Sequence, residues 1–354
     1  MDWKRPVVHS LWAALYVASV PLAASAVEWV TIGDPGNPPD AETSCRLNEL
    51  CVTGLGSVPY TFRISKYEAT NAEYVEFLNA VAASDPRGLF NPGMQTNPAM
   101  LTEIIRSGSA GSYTYAVAPG RDQYPVRYID AFRAMRFANW LHNGKPTGSE
   151  DATTTEDGAY TLLGANPIDV ERNAGARYWL VNEDEWYKAA YYDPSIGWYW
   201  DHATGTDEAP VGEPPPGGAN STNLCPRPWT EGGPSSCEPG VSSGPEEPTP
   251  VGAYVDSPSP LGTYDQAGNL WEYLEDRMHE DTSVVRGSGY TRGVFDASVL
   301  LRTYSPMACQ GCAGIGFRMG TQLVPEPAQL LLRAAALLAV AAIARRTRGS
   351  ARSL

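Results

Sequence analysis

Glycine and proline recur along almost the whole chain, 34 and 30 of its 354 residues, and few stretches between them could hold a long helix or strand. Proline removes a backbone donor and fixes φ, while glycine pays the largest entropy penalty in a regular element. Such a chain folds by wrapping irregular loops around bulky side chains, and ten tryptophans and nineteen tyrosines supply that bulk. A hydrophobic content of 43% is enough for a packed core, which argues against a disordered chain. No triplet repeat, heptad run or set of long apolar spans points to collagen, coiled coil or a polytopic membrane protein. A net charge of −14 lacks the basic footprint of a nucleic-acid binder and disfavours anionic lipid faces. The expectation is one irregular, loop-rich α+β domain.

The two ends read as addresses. Residues 1–26 have the order of a secretory signal: Lys4 and Arg5, an uncharged apolar stretch from Leu11 to Leu22, then Ala24-Ser25-Ala26 as a small-residue cleavage site. At the other end Val324-Pro325-Glu326-Pro327 precedes an apolar run from Ala328 to Ala344 and a tail with Arg345, Arg346, Arg348 and Arg352. Seventeen residues, with Arg333 among them, lie at the short limit of a spanning helix. This order over 324–354 resembles a PEP-CTERM sorting signal. The resemblance implies a Gram-negative bacterium, an exosortase-type processing enzyme as partner, and a surface, outer-envelope or matrix destination, with the membrane touched only through this segment. An ordinary C-terminal anchor is the other reading. Both ends are net basic, so the body between them is more acidic than the whole chain.

Six cysteines fall in three local couples, Cys45 with Cys51, Cys225 with Cys237, and Cys309 with Cys312. In an exported protein neighbour disulfides are the expected use, although six cysteines allow fifteen pairings. Residues 27–58 read as an extended, proline-punctuated lead-in to a domain over 59–322. A strand is expected at Tyr60–Tyr67. Thr70 and Glu73 form a capping box before Tyr74, Phe77, Leu78 and Val81 at helical spacing. Further helices are expected after Asp130 and after Asn182. Short strands are expected near Tyr254, Leu270–Tyr273, Val284–Tyr290 and Gly316–Met319, with a loop over 201–250. The expected core includes Phe62, Tyr74, Phe77, Trp140, Trp186, Trp271 and Phe317.

Six of these segments, in order, resemble the sulfatase-modifying factor, or formylglycine-generating enzyme, family. They are Ile64-Ser-Lys-Tyr-Glu-Ala-Thr-Asn-Ala-Glu-Tyr, Tyr124-Pro-Val-Arg-Tyr-Ile-Asp-Ala-Phe, Tyr178-Trp-Leu-Val-Asn-Glu-Asp-Glu-Trp, Asp265-Gln-Ala-Gly-Asn-Leu-Trp-Glu-Tyr, Arg286-Gly-Ser-Gly-Tyr and Gly316-Phe-Arg. The resemblance implies an irregular, C-type-lectin-like α+β fold. It also implies a structural Ca²⁺ held by the side chains of Asp265 and Glu272 and the carbonyls of Gly268 and Leu270, hard oxygens suited to that ion. A second family calcium site near Asn220 has no credible counterpart across the Pro/Gly-rich insertion.

Family members that oxidise a sulfatase cysteine to formylglycine hold copper between two thiolates, which suit Cu(I) because both are soft. The matching positions here are Arg292 and Ala297. Neither side chain can bind Cu(I), so the resemblance stops short of the oxidase centre. Cys309 and Cys312 offer an alternative dithiol, for copper or redox work, against the simpler reading of a structural disulfide. His142, His202 and His279 show no metal-binding spacing, and Ser288 in Gly287-Ser288-Gly289 lacks the full nucleophile-elbow pattern. Two functions follow: a calcium-stabilised binding or matrix module that lacks the copper pair and takes an extracellular polysaccharide or protein ligand, or an oxidoreductase using Cys309 and Cys312.

Overall fold

Three capped helices form where polar side chains satisfy the first free backbone N–H groups. Helix α1, Asn71–Val81, starts at Thr70, whose hydroxyl accepts from the Glu73 N–H while Glu73 Oε2 accepts from the Thr70 N–H at 2.9 Å, the reciprocal box expected from sequence. Helix α2, Ala131–His142, is capped by Asp130, which accepts from the Arg133 N–H at 2.8 Å. Helix α3, Glu183–Tyr191, is capped by Asn182 and carries a second box through Glu185. This computed structural model describes residues 27–46, 49–96, 101–164, 170–225, 247–308 and 312–323. The signal and sorting segments, Cys237 and Cys309 lie outside the described residues.

Eight short strands make the two main sheets: β1 Trp29–Ile32, β2 Phe62–Ser65, β3 Tyr178–Leu180, β4 Trp271–His279, β5 Thr282–Arg286, β6 Thr303–Pro306, β7 Ile315–Phe317 and β8 Met319–Thr321. The first sheet has the order β1-β2-β8-β3 and is antiparallel throughout. The second has the order β6-β5-β4-β7, with β4 and β7 parallel. Arg318 alone separates β7 from β8, so one residue carries the chain from one sheet to the other. The lead-in supplies β1 as an edge of the first sheet. It also forms a hairpin, Thr43–Arg46 with Glu49–Thr53, stapled by the Cys45–Cys51 disulfide.

Between the helices and β7 lies an aromatic core. Tyr74, Phe77, Phe137 and Trp140 sit with ring centroids 5.3–6.1 Å apart, and Phe317 meets Phe137 at 5.4 Å. Edge and tilted arrangements dominate, as ring quadrupoles favour. Two expectations need correction. Trp271 is only partly buried and packs against the core from its margin, because its position at the start of β4 faces outward. The residues around Tyr254 form turns rather than a strand; the ring is buried, and its hydroxyl donates to the Glu213 carbonyl at 2.7 Å. Within 201–225 and 247–250 the only named strands are the two-residue pair Val211–Gly212 and Ser221–Thr222. No helix among the described residues is long and apolar enough to cross a membrane.

Candidate functional site

The segment from Asp265 to Glu272 is bent by three left-handed residues, Asp265 (φ 64°), Gly268 (φ 118°) and Asn269 (φ 59°). Asp and Asn are the non-glycine types that best tolerate this region. Gly268 has no substitute, since a Cβ there would lie 2.5 Å from the Asn223 carbonyl oxygen. Asn269 locks the bend from inside: its amide donates to Glu68 Oε2 at 2.6 Å, and its Oδ1 accepts from the Thr249 N–H at 2.9 Å. The Leu270 N–H donates to Glu68 Oε1 at 3.0 Å, and the Gly252 N–H donates to Asp265 Oδ2 at 2.7 Å.

Glu272, in β4, is the centre to which the matched segments converge. Arg318 donates to both of its oxygens, at 2.6 and 2.7 Å, and the Trp186 indole donates at 2.9 Å. Arg318 also donates to the carbonyls of Ser65 and Tyr264, so its guanidinium ties together β2, β4 and the loop before the site. Both partners are fully buried. A fork-shaped cation on a carboxylate gives strong, directional hydrogen bonds.

The charges around this pair do not balance. Glu68, Asp265 and Glu272 influence one another and share the cation Arg318. Burial, then the Asp265 and Glu272 charges, pushes Glu68 well above the usual carboxylate range. Burial pushes Asp265 up to about 6, with the Gly252 N–H and Arg318 opposing and Glu272 adding to the rise. Three acids against one base leave room for a divalent cation, and oxygen donors are the right chemistry for Ca²⁺. The residues therefore fit the expected ion by charge and donor type. Glu272 would share it with Arg318. No group of three or more His, Cys, Asp or Glu side chains among the described residues converges as a metal centre, so carbonyls would have to complete the shell. Sequence reading missed Glu68; its position inside the first matched segment, two residues before the Thr70 cap, was the available signal.

The stretch after β5 is held from beneath. Arg286 is fully buried and donates to Glu183 Oε1 at 2.9 Å, and Arg302 shares the same carboxylate. Ser288 is left-handed (φ 68°), and its buried hydroxyl has no hydrogen-bond partner. The Tyr290 N–H donates to the Asn269 carbonyl at 2.8 Å, joining this turn to the Asp265–Glu272 loop. Arg127 donates to the Tyr290 hydroxyl at 3.3 Å and pairs with Glu103 at 2.7 Å.

At the positions matching the family's copper thiolates, the exposed side of Arg292 reaches Asp296 at 4.0 Å and Ala297 is buried. These residues do not fit copper. His202, unflagged by its spacing, hydrogen-bonds the Ala297 carbonyl and is buried enough to hold its pKa below the ordinary histidine value. Cys225 and Cys312 are both disulfide-bonded, and no cysteine is free among the described residues. Cys312 thus stands as half of a disulfide, with the Tyr273 hydroxyl 3.6 Å from its sulfur.

Three solved structures are similar to this chain at low identity. CarF is 18% identical, with 84% of this chain and 99% of that chain covered and a TM-score of 0.49. PvdO from Pseudomonas aeruginosa is 19% identical, covering 84% and 92%, with a TM-score of 0.39. Treponema denticola variable protein 1 is 16% identical, covering 85% and 98%, with a TM-score of 0.45. No curated protein matches the chain. The sulfatase-modifying factor enzyme 1-like domain matches residues 57–322, spanning all six segments and both charged hubs, and the chain belongs to that family.

Proposed function

We propose that this protein is an exported, surface-sorted member of its family that works as a calcium-stabilised binding or matrix module rather than as a copper oxidase. The observation that carries the reading is the pair Arg292 and Ala297 where the family's thiolates would stand. A guanidinium repels Cu(I) and a methyl group offers it no lone pair. The oxidoreductase alternative needs Cys309 and Cys312 as thiols, and the disulfide at Cys312 supports a structural role instead. The excess of buried carboxylate around Arg318 supports Ca²⁺, with Asp265 and Glu272 supplying side-chain oxygens and Gly268 and Leu270 the carbonyls. The bound ion would supply positive charge and would tie the left-handed loop to β4. An extracellular polysaccharide or protein is the class of ligand for such a module, and exosortase-type processing accounts for its C-terminal segment.

Two measurements test this. Purified protein incubated with Cu(I), reductant, oxygen and a Cys-x-Pro-x-Arg peptide should return the peptide cysteine unchanged by mass spectrometry. Turnover abolished by Cys312→Ser would overturn the module reading. Calcium should raise the melting temperature, and Asp265→Asn should remove most of that rise, whereas Glu280→Gln with Asp281→Asn on an exposed turn should not. Glu272→Gln is the poorer probe, because it also breaks the Arg318 pair. Equal calcium responses in Asp265→Asn and parent would sink the metal assignment.

A further inference from the structure

A cavity of about 30 Å³, with room for one or two waters, separates Val27 from the start of α1. Its wall includes Val27, Glu28, Glu68, Thr70, Glu73 and Gln123. Three acidic residues thus line one small space. Glu28 has Lys66 at 3.3 Å. Glu68 accepts from the Asn269 amide and the Leu270 N–H, and Glu73 accepts from the Thr70 N–H. The neighbouring cations are engaged elsewhere, Arg318 with Glu272 and Lys145 with Glu76. Burial pushes Glu73 up to about 7, against the opposing Thr70 hydrogen bonds and Lys145 charge.

Val27 is also the residue that follows Ala24-Ser25-Ala26. We propose that signal cleavage after Ala26 puts the new α-ammonium of Val27 into this cavity, where it serves as a counter-charge for Glu73. The proposal rests on reading residues 1–26 as a secretory signal. Chemically, a signal-peptidase-type protease hydrolyses the Ala26–Val27 amide. Water supplies the oxygen of the Ala26 carboxylate, and the Val27 amine leaves with a proton and takes up another near neutral pH. Before cleavage the same nitrogen is a neutral amide and offers no charge. Export would then add a positive charge beside Glu73 that the unprocessed chain lacks.

The groups facing the amine are Glu28 with its partner Lys66, Glu68 and Glu73, with Asp265, Glu272 and Arg318 behind Glu68. Surrounding acids raise the pKa of an amine. The extra stability is therefore lost as pH rises through the raised amine value, above the ordinary α-amino range of about 7.7–8.0, and it also fades at low pH as Glu73 is protonated.

The test compares proteins starting at Val27 and at Ser25, each otherwise extending to Leu354, in chelator to remove calcium. Melting is followed from pH 6 to 10, and the α-amine is titrated by NMR. The Val27 form should melt higher at pH 7, by about 2–4 °C, and its amine should titrate above the ordinary range. Glu73→Gln keeps the capping box, since glutamine serves equally there, yet should shrink the difference between the two forms. Identical melting of the two forms, or an amine titrating in the ordinary range, would overturn the proposal. Amino-terminal sequencing of the exported protein addresses the signal reading separately: a different terminus refutes processing at Ala26, while the two defined forms still decide whether the cavity takes an ammonium.

Discussion

Replacing Arg318 by methionine removes the cation that pairs with Glu272 in a site with three buried acids, and the neighbouring hydrogen bonds give the scale of the loss. Arg318 donates to both Glu272 oxygens and to the carbonyls of Ser65 and Tyr264. Breaking a buried pair by removing one partner costs about 3–5 kcal/mol, mostly because the other charge is left uncompensated. Here Glu68 and Asp265 add their repulsion to Glu272, so the upper end applies. The reverse change, Glu272→Gln, should cost less, because Arg318 still has Glu68 and Asp265 nearby. At roughly 2–4 °C per kcal/mol for a domain near this size, Arg318→Met should lower the melting temperature by about 10–20 °C in the absence of calcium.

The pH dependence separates this explanation from simple loss of packing. In the parent the folded-state pKa of Asp265 is raised to about 6, so its stabilising effect is complete below the unfolded value and is lost as pH rises to about 6. Without Arg318 the carboxyl pKa values climb further and the window moves upward. The deficit of Arg318→Met relative to parent should therefore grow between pH 5 and pH 7. Chemical denaturation across that range, with the two single variants and the double variant, is the assay. A deficit for Arg318→Met smaller than that for Glu272→Gln, or one independent of pH, would refute the argument.

The core makes a second comparison possible. Trp140→Ala and Trp186→Ala should each cost about 3–5 kcal/mol, since both indoles are at most 1% exposed, while Trp271→Ala at the core margin should cost clearly less in the same urea titration. Equal losses at Trp186 and Trp271 would put the core boundary elsewhere. Glu150 gives a cleaner pH test. Burial pushes it up to about 7, and one of its oxygens accepts from the Arg87 N–H while the other has no partner. Its folded pKa is raised, so the parent loses stability relative to Glu150→Gln as pH climbs from about 4.3 to 7 and no further above that; a difference that stays flat over this range would count against it.

Local patterns in the chain were enough for the helices and the family. Thr70 with Glu73, Asp130 and Asn182 mark the helix starts because a cap is a contact between residues three apart. The neighbour disulfide at Cys45 and Cys51 is legible for the same reason, a short loop. Strand limits were less legible: Tyr254 carries an aromatic side chain suited to a strand, but its partner is the Glu213 carbonyl, 41 residues away.

What tertiary structure alone decided is the use of each charge. Glu272 looked in sequence like a metal ligand, and its carboxylate is gripped by Arg318 and Trp186 from segments 46 and 86 residues distant. Glu68, 201 residues from Asn269, enters the same site only through folding. Helix caps and turn residues act over a few bonds and are written in local order. A buried charge takes its meaning from whatever the fold brings within a few ångströms, and spacing along the chain carries no trace of that.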